Sequence, residues 1–229
     1  MNFKKKMEKW KEYSKMADLP IIARRKFFNN CFDGALTTAG IVSGFLILFL
    51  MNPKLLTPLN VLITGFATAL AIGISGLWGA FLSEDAERKK KLYDLKKAMA
   101  MTEEGEEGEM QSVIEPKSKR TRFKRKKINK KKESIIEKAE NFATIIASLV
   151  DGGAPVLGAA LPLIPFFFGF ELSIYHFIFS YLILICLLIY LGIFLGNISG
   201  GGRIKYALNL VIAGLVTLLI SILLGAISG

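Results

Sequence analysis

A chain of 229 residues, 52% hydrophobic and with a net charge of +11, is excluded from the ordinary soluble class by the way its apolar residues are arranged. They lie in five blocks, residues 34–52, 59–82, 142–168, 175–196 and 207–227, each near or above the ~20 residues that cross a hydrocarbon core, whereas core helices of soluble proteins seldom exceed about 14 wholly apolar residues. Two cysteines and one histidine exclude a disulfide framework and a Cys- or His-based metal cluster, and no phosphate-cradling glycine loop is present to support nucleotide-driven work.

Taken in chain order, residues 1–30 set Phe3, Met7, Trp10 and Met16 among lysines at the spacing of one helix face. This predicts a cytoplasmic amphipathic helix at the membrane interface, broken by Pro20 before the first span. No small-residue cleavage pattern follows the first apolar block, so it reads as a retained span and not a secretory signal. Residues 31–83 hold transmembrane helices one and two. Residues 84–141 form a charged cytoplasmic insert: "EDAERKKKLYDLKKAMAM" continues the second span as a helix, "TEEGEEGEM" is acidic and glycine-broken, and "KESIIEKAENFA" leads helically into the third span. Its middle, dense in charge and poor in aliphatic residues, is expected to be disordered. Residues 142–229 hold helices three to five.

Orientation follows from the basic residues. Nine precede the first span, one (Lys54) lies between the first and second, eighteen lie between the second and third, and two (Arg203 and Lys205) lie between the fourth and fifth. The positive-inside rule then places the N-terminus in the cytoplasm and the C-terminus outside. The expected class is an all-α, multi-pass integral protein of the cell membrane. The net charge is thus first a topology signal. The basic run 117–132, with Arg120, Arg122, Lys124, Arg125, Lys126 and Lys127, is expected to contact anionic lipid or another polyanion, and no specific nucleic-acid partner is expected.

Two acids stand within the spans or at their mouths, Asp33 and Asp151. A carboxylate in or near hydrocarbon costs a few kcal/mol on insertion scales and is usually met by a partner or a wet cavity, so both are candidates for a cation pathway. Asp33 also suits a second role, capping the first helix through the amides of Ala35 or Leu36. Asp151 precedes Gly152, Gly153 and Pro155, with Pro162 and Pro165 beyond. That run predicts either a broken helix with exposed carbonyl oxygens or a proline-kinked continuous one. A weak repeat links the two acids: "DGALTTAG" (33–40) and "DGGAPVLG" (151–158) share D-G-x5-G, which implies two helical hairpins of the same orientation followed by a fifth helix.

Small residues recur every four positions at Gly40 and Gly44, at Gly65, Ala69 and Gly73, and at Gly192, Gly196 and Gly200, a spacing that lets helices approach closely within a protomer or across a dimer. On the cytoplasmic helix extensions, Glu84 with Glu87 and Glu137 with Glu140 each form an i,i+3 pair on one face. The four would converge on a hard divalent cation if the two helices are neighbours, or form an ordinary salt-bridged surface.

With these residues in view, the chain resembles the vacuolar iron transporter family. "FDGALTTAGIVSG" is similar to the family's first-helix Asp-Gly motif, "GISGLWGAFLSEDAE" to its second-helix signature, and "GAALPLIPFFF" to its Leu-Pro-rich third helix. The resemblance implies a homodimer of five-helix protomers that exports Fe²⁺ or Mn²⁺ from the cytosol, with the metal as substrate and no cofactor. It implies Asp33 as the transport-path aspartate and the Glu84/Glu87 and Glu137/Glu140 pairs as parts of a cytoplasmic metal-collecting region. Gly76 and Ala80 stand where iron-transporting members commonly carry a methionine and a glutamate. The competing reading is a non-transporting membrane scaffold that binds anionic lipid or another polyanion through its basic insert.

Overall fold

In hydrocarbon the backbone has no hydrogen-bond partner but itself, so an apolar run that crosses the membrane singly must be helical. The computed structural model describes residues 3–16, 18–110 and 119–228 and is 93% helix, with no strand among the described residues. The helices are α1 (Phe3–Met16), α2 (Leu19–Met51), α3 (Pro58–Met110), α4 (Lys119–Leu163), α5 (Ile174–Ser199) and α6 (Arg203–Ser228), with 3-10 turns at Pro53–Leu55 and Ile164–Phe167. Five segments are long and apolar enough to cross a membrane: Leu19–Met51, Pro58–Leu95, Lys138–Phe167, Ile174–Ser199 and Arg203–Gly225. Each corresponds to one predicted span. The side chains of Arg120, Arg122, Lys124, Arg125, Lys126, Lys127 and Glu137 lie outside the described ones.

The chain divides into two compact units, residues 1–22 with 79–148 and residues 23–78 with 149–229. In the first, Trp10 stacks on Phe142 with ring centroids 5.9 Å apart and Tyr13 tilts onto the same ring at 6.4 Å, so α1 meets α4 through aromatic faces. Between α1 and α2, Asp18 turns into the left-handed region at φ 48°. Its carbonyl accepts the Ile21 and Ile22 amides at 3.1 and 3.3 Å. Pro20 occupies the first turn of α2, where a missing N–H leaves no bond unmade.

The second unit holds the apolar core. Cys31, Ala35 and Ala39 of α2 pack with Ala154 of α4, with Leu184, Leu188 and Leu191 of α5, and with Leu210 of α6. A second cluster gathers Val42, Val61, Leu163, Phe166, Leu172 and Phe177. The α5–α6 hairpin turns at Gly200, whose φ of 67° suits glycine. Above that turn the predicted small-residue stripe has its use: a Cβ at Gly192 would lie 2.3 Å from the Ala207 Cα, and one at Gly196 2.7 Å from the Arg203 Cα.

Two alternatives that the sequence leaves open are decided. Helix α2 begins at Leu19, well before Asp33, so Asp33 lies inside a helix and caps nothing. The apolar run begins at residue 34, and the helix starts earlier, at Leu19, ahead of the amphipathic lead "IIARRKFFNN" (21–30). Nor is the third span broken at Asp151–Pro155: α4 is continuous to Leu163 with Pro155 and Pro162 inside it. Pro155 removes one helical donor, that for the Asp151 carbonyl, while the glycine-mediated contacts described below brace the helix on both sides.

The closest backbone approach sets a stability test. A Cβ at Gly34 would lie 2.1 Å from the Pro155 carbonyl oxygen, whereas one at Gly153 meets nothing within 4 Å. Overpacking of a rigid contact costs about 1–3 kcal/mol or more. Gly34→Ala is expected to lower the thermal unfolding midpoint of the purified protein in detergent, and Gly153→Ala to leave it unchanged or raise it slightly, as measured by tryptophan fluorescence.

Candidate functional site

The face that α2 turns to α4 repeats every four residues. Lys26 and Asn30 meet Asp151, Gly34 meets Pro155, and Thr38 donates to the Ala159 carbonyl at 3.1 Å. Partners on both helices advance together, so α2 and α4 run parallel. This is the relation that the D-G-x5-G repeat implies for its two opening helices. Gly158 adds a second backbone contact, since a Cβ there would lie 2.0 Å from the Cys31 carbonyl oxygen. On the other side α3 approaches α4 through glycine: a Cβ at Gly73 would lie 2.9 Å from the Gly152 carbonyl oxygen, and one at Gly76 3.0 Å from that of Asp151.

At the entrance of this packing the Asp151 carboxylate is held at both oxygens. The Lys26 Nζ lies 2.5 Å from Oδ2, and the Asn30 amide donates to Oδ1 at 2.5 Å. Both members of the ion pair are largely buried, with side chains 20% and 14% exposed. Deeper in the unit, polar side chains serve carbonyls and one another. Ser180 donates to the Pro162 carbonyl at 2.6 Å, and the Ser43 and Tyr181 hydroxyls lie 2.8 Å apart. In a membrane such groups need internal partners.

Asp33 differs from Asp151 in every respect. It is exposed, and its main-chain carbonyl accepts the Thr37 hydroxyl at 2.9 Å. No described residue hydrogen-bonds to or ion-pairs with its carboxylate. Along the same side of α2, Cβ atoms at Gly40 and Gly44 would meet nothing within 4 Å. The structure therefore does not join Asp33 and Asp151 in one contact set.

Among the other predicted residues, Glu84 and Glu140 are half-buried and Glu87 is exposed. Next to Glu84, Asp85 binds Arg88 and, at 2.6 Å, Lys89. No group of three or more His, Cys, Asp or Glu residues arranged to hold a metal occurs among the described residues. His176 has a structural place: its Nδ1 accepts the Ser173 amide at 3.1 Å at the start of α5, and its Nε2 faces the Phe168 carbonyl at 2.5 Å. Both cysteines are free.

Lys26 and Asn30 were not among the sequence-predicted site residues. In the sequence Lys26 bears only on orientation, and Asn30 stands just before "CFDG" without a signal of its own. The available clue was their i,i+4 spacing, which puts both on the α2 face that a parallel α4 would cover.

Five apolar helices, a parallel glycine-packed pair and a charged segment between the second and third spans define a polytopic α-helical membrane protein. The chain matches the VIT family over residues 25–226 and belongs to that family, the vacuolar iron transporters, whose members are membrane metal-ion transporters rather than enzymes. It is also similar to the uncharacterized protein MJ0645 of Methanocaldococcus jannaschii, with 27% identity over 168 residues, covering 73% of this chain and 70% of that protein.

The two aspartates separate in a stability measurement. Asp151→Ala strips a largely buried lysine of its counter-ion, a change that costs about 3–5 kcal/mol for a sealed pair and less where some exposure remains. It is expected to lower the unfolding midpoint clearly, while Asp33→Asn leaves it within error.

Proposed function

We propose that the protein exports a divalent cation, Fe²⁺ or Mn²⁺, from the cytosol across the cell membrane as a homodimer, with proton coupling. The observation that carries this reading is the Asp33 carboxylate, exposed and without a described partner, on a helix that crosses the membrane. From Asp33 to Met51 α2 rises about 27 Å, so the carboxylate stands near one edge of the ~30 Å hydrocarbon core. A charge held there calls for a cation, a proton or another protein surface.

The side of α2 that carries Asp33 also carries Gly40 and Gly44, which are open within the protomer and small enough to admit a second helix. A homodimer formed on this face would shelter Asp33 from lipid and leave it beside its counterpart, a pair of hard oxygen ligands suited to Mn²⁺ or Fe²⁺. Asp151 and the carbonyls beside it serve as an auxiliary site in this scheme. Glu84, Glu87, Glu137 and Glu140 gather metal on the cytoplasmic side, and the basic insert lies against anionic lipid.

Reconstitution into sealed liposomes tests the proposal directly. The parent protein is expected to carry Mn²⁺ or Fe²⁺ across a pH gradient, with Asp33→Asn slower by tenfold or more. A parent without flux, or an Asp33→Asn variant as fast as the parent, overturns the assignment. Gly40→Leu is expected to keep the helical content and to shift the mass measured by light scattering in detergent from dimer to monomer.

A further inference from the structure

We propose that the Lys26 ammonium is a tethered occupant of a second divalent-cation site, formed by Asp151 and Asn30, which a metal enters only by displacing Lys26. This rests on the transport reading above and adds to it a residue that sets the threshold for metal entry.

The geometry carries the argument. Each oxygen of the Asp151 carboxylate has one partner, both partners come from α2, and both contacts are 2.5 Å. The ammonium thus sits where a cation bound to this carboxylate would sit. Its removal does not dismantle the helix pair, because the register of α2 on α4 is fixed further along. There Gly34 rests on the Pro155 carbonyl, Gly158 on that of Cys31, and Thr38 bonds that of Ala159. The Lys26–Asp151 pair adds stability at the entrance, but it does not set the register.

The chemistry of the three groups points the same way. A lysine ammonium is a strongly hydrated point charge on a flexible four-carbon stem, and Lys26 retains 20% exposure, so the stem has room to withdraw. A half-turn of the Asn30 amide exchanges its NH₂ for its carbonyl oxygen. With Lys26 withdrawn, two carboxylate oxygens and one amide oxygen remain, a hard donor set that Mn²⁺ completes with water. Asn30 also precedes Asp33 by three residues on the same helix, a rise of about 4.5 Å along the axis. A divalent ion gains more from the carboxylate than the monovalent ammonium does, yet must first break the intramolecular pair. The site therefore stays closed at low metal concentration.

The test is Mn²⁺ binding to the purified full-length protein, followed by loss of the free-ion signal in electron paramagnetic resonance. Lys26→Met is expected to bind one more Mn²⁺ per protomer in the range where the parent does not, with at least tenfold tighter apparent Kd at that site. Lys26→Arg, which keeps the charge, is expected to behave as the parent. The added site should vanish in Lys26→Met/Asp151→Asn and persist in Lys26→Met/Asp33→Asn. A folded Lys26→Met protein that titrates like the parent, or an added site that survives Asp151→Asn, overturns the proposal. Should Lys26→Met not fold, amine acylation of the parent read by mass spectrometry decides: saturating Mn²⁺ is expected to raise labelling of Lys26 severalfold, and unchanged labelling overturns displacement. Because these readouts are binding and not flux, an added Mn²⁺ site without liposome transport would retain this inference and remove the transport reading alone.

Discussion

The structure depends on backbone contact between parallel helices. Gly34 against the Pro155 carbonyl and Gly158 against the Cys31 carbonyl bring α2 and α4 closer than side chains would permit. Helix association in lipid has no hydrophobic drive to rely on and draws instead on close packing and polar contacts. The two glycines supply the packing, and Thr38, Asn30 and Lys26 supply the polar contacts. Once this register is set, Cys31, Ala35 and Ala39 have a floor on which α5 lays Leu184, Leu188 and Leu191.

That closeness also explains why α4 tolerates its prolines. Pro155 deprives the Asp151 carbonyl of its helical donor, a cost that usually bends or breaks a helix. Here the helix is confined between Gly34 on α2 and Gly73 and Gly76 on α3, so its path is dictated from outside. The same confinement bears on Gly76 of α3. A Cβ at that position would lie 3.0 Å from the Asp151 carbonyl oxygen. A side chain there would demand that the two helices separate by a few tenths of an ångström.

Five spans were legible in the sequence because each is an apolar run set by bilayer thickness, and that signal needs no knowledge of neighbours. The parallel relation of the first and third spans was legible as well, in the shared D-G-x5-G. What was not legible depended on contacts between distant segments. Nothing local to "DGGAPVLG" says whether glycine and proline will break the helix, since the answer lies in the glycines of α2 and α3 that hold it. Nor does a lysine in a basic cluster advertise that it alone turns inward: Arg24 and Arg25 are exposed while Lys26 is not. Capping is open to Asp33 only where the start of the apolar run is equated with the start of the helix.

The repeat and the packing are out of step, and this separates the two aspartates. By sequence, Asp33 corresponds to Asp151 and Gly34 to Gly152. In space, Asn30 is the residue opposite Asp151, and Gly34 is opposite Pro155. The offset is three residues, nearly one helical turn, so equivalent carboxylates come to lie at different positions relative to the helix contact. Asp151 falls inside it and is met by a lysine and an amide. Asp33 falls past its edge, on a surface where Gly40 and Gly44 also stand open. Two copies of one motif thereby yield one carboxylate paired with a lysine and an amide at the helix contact and one exposed carboxylate that no described residue meets. Packing in register with the repeat would instead have placed both acids in equivalent surroundings.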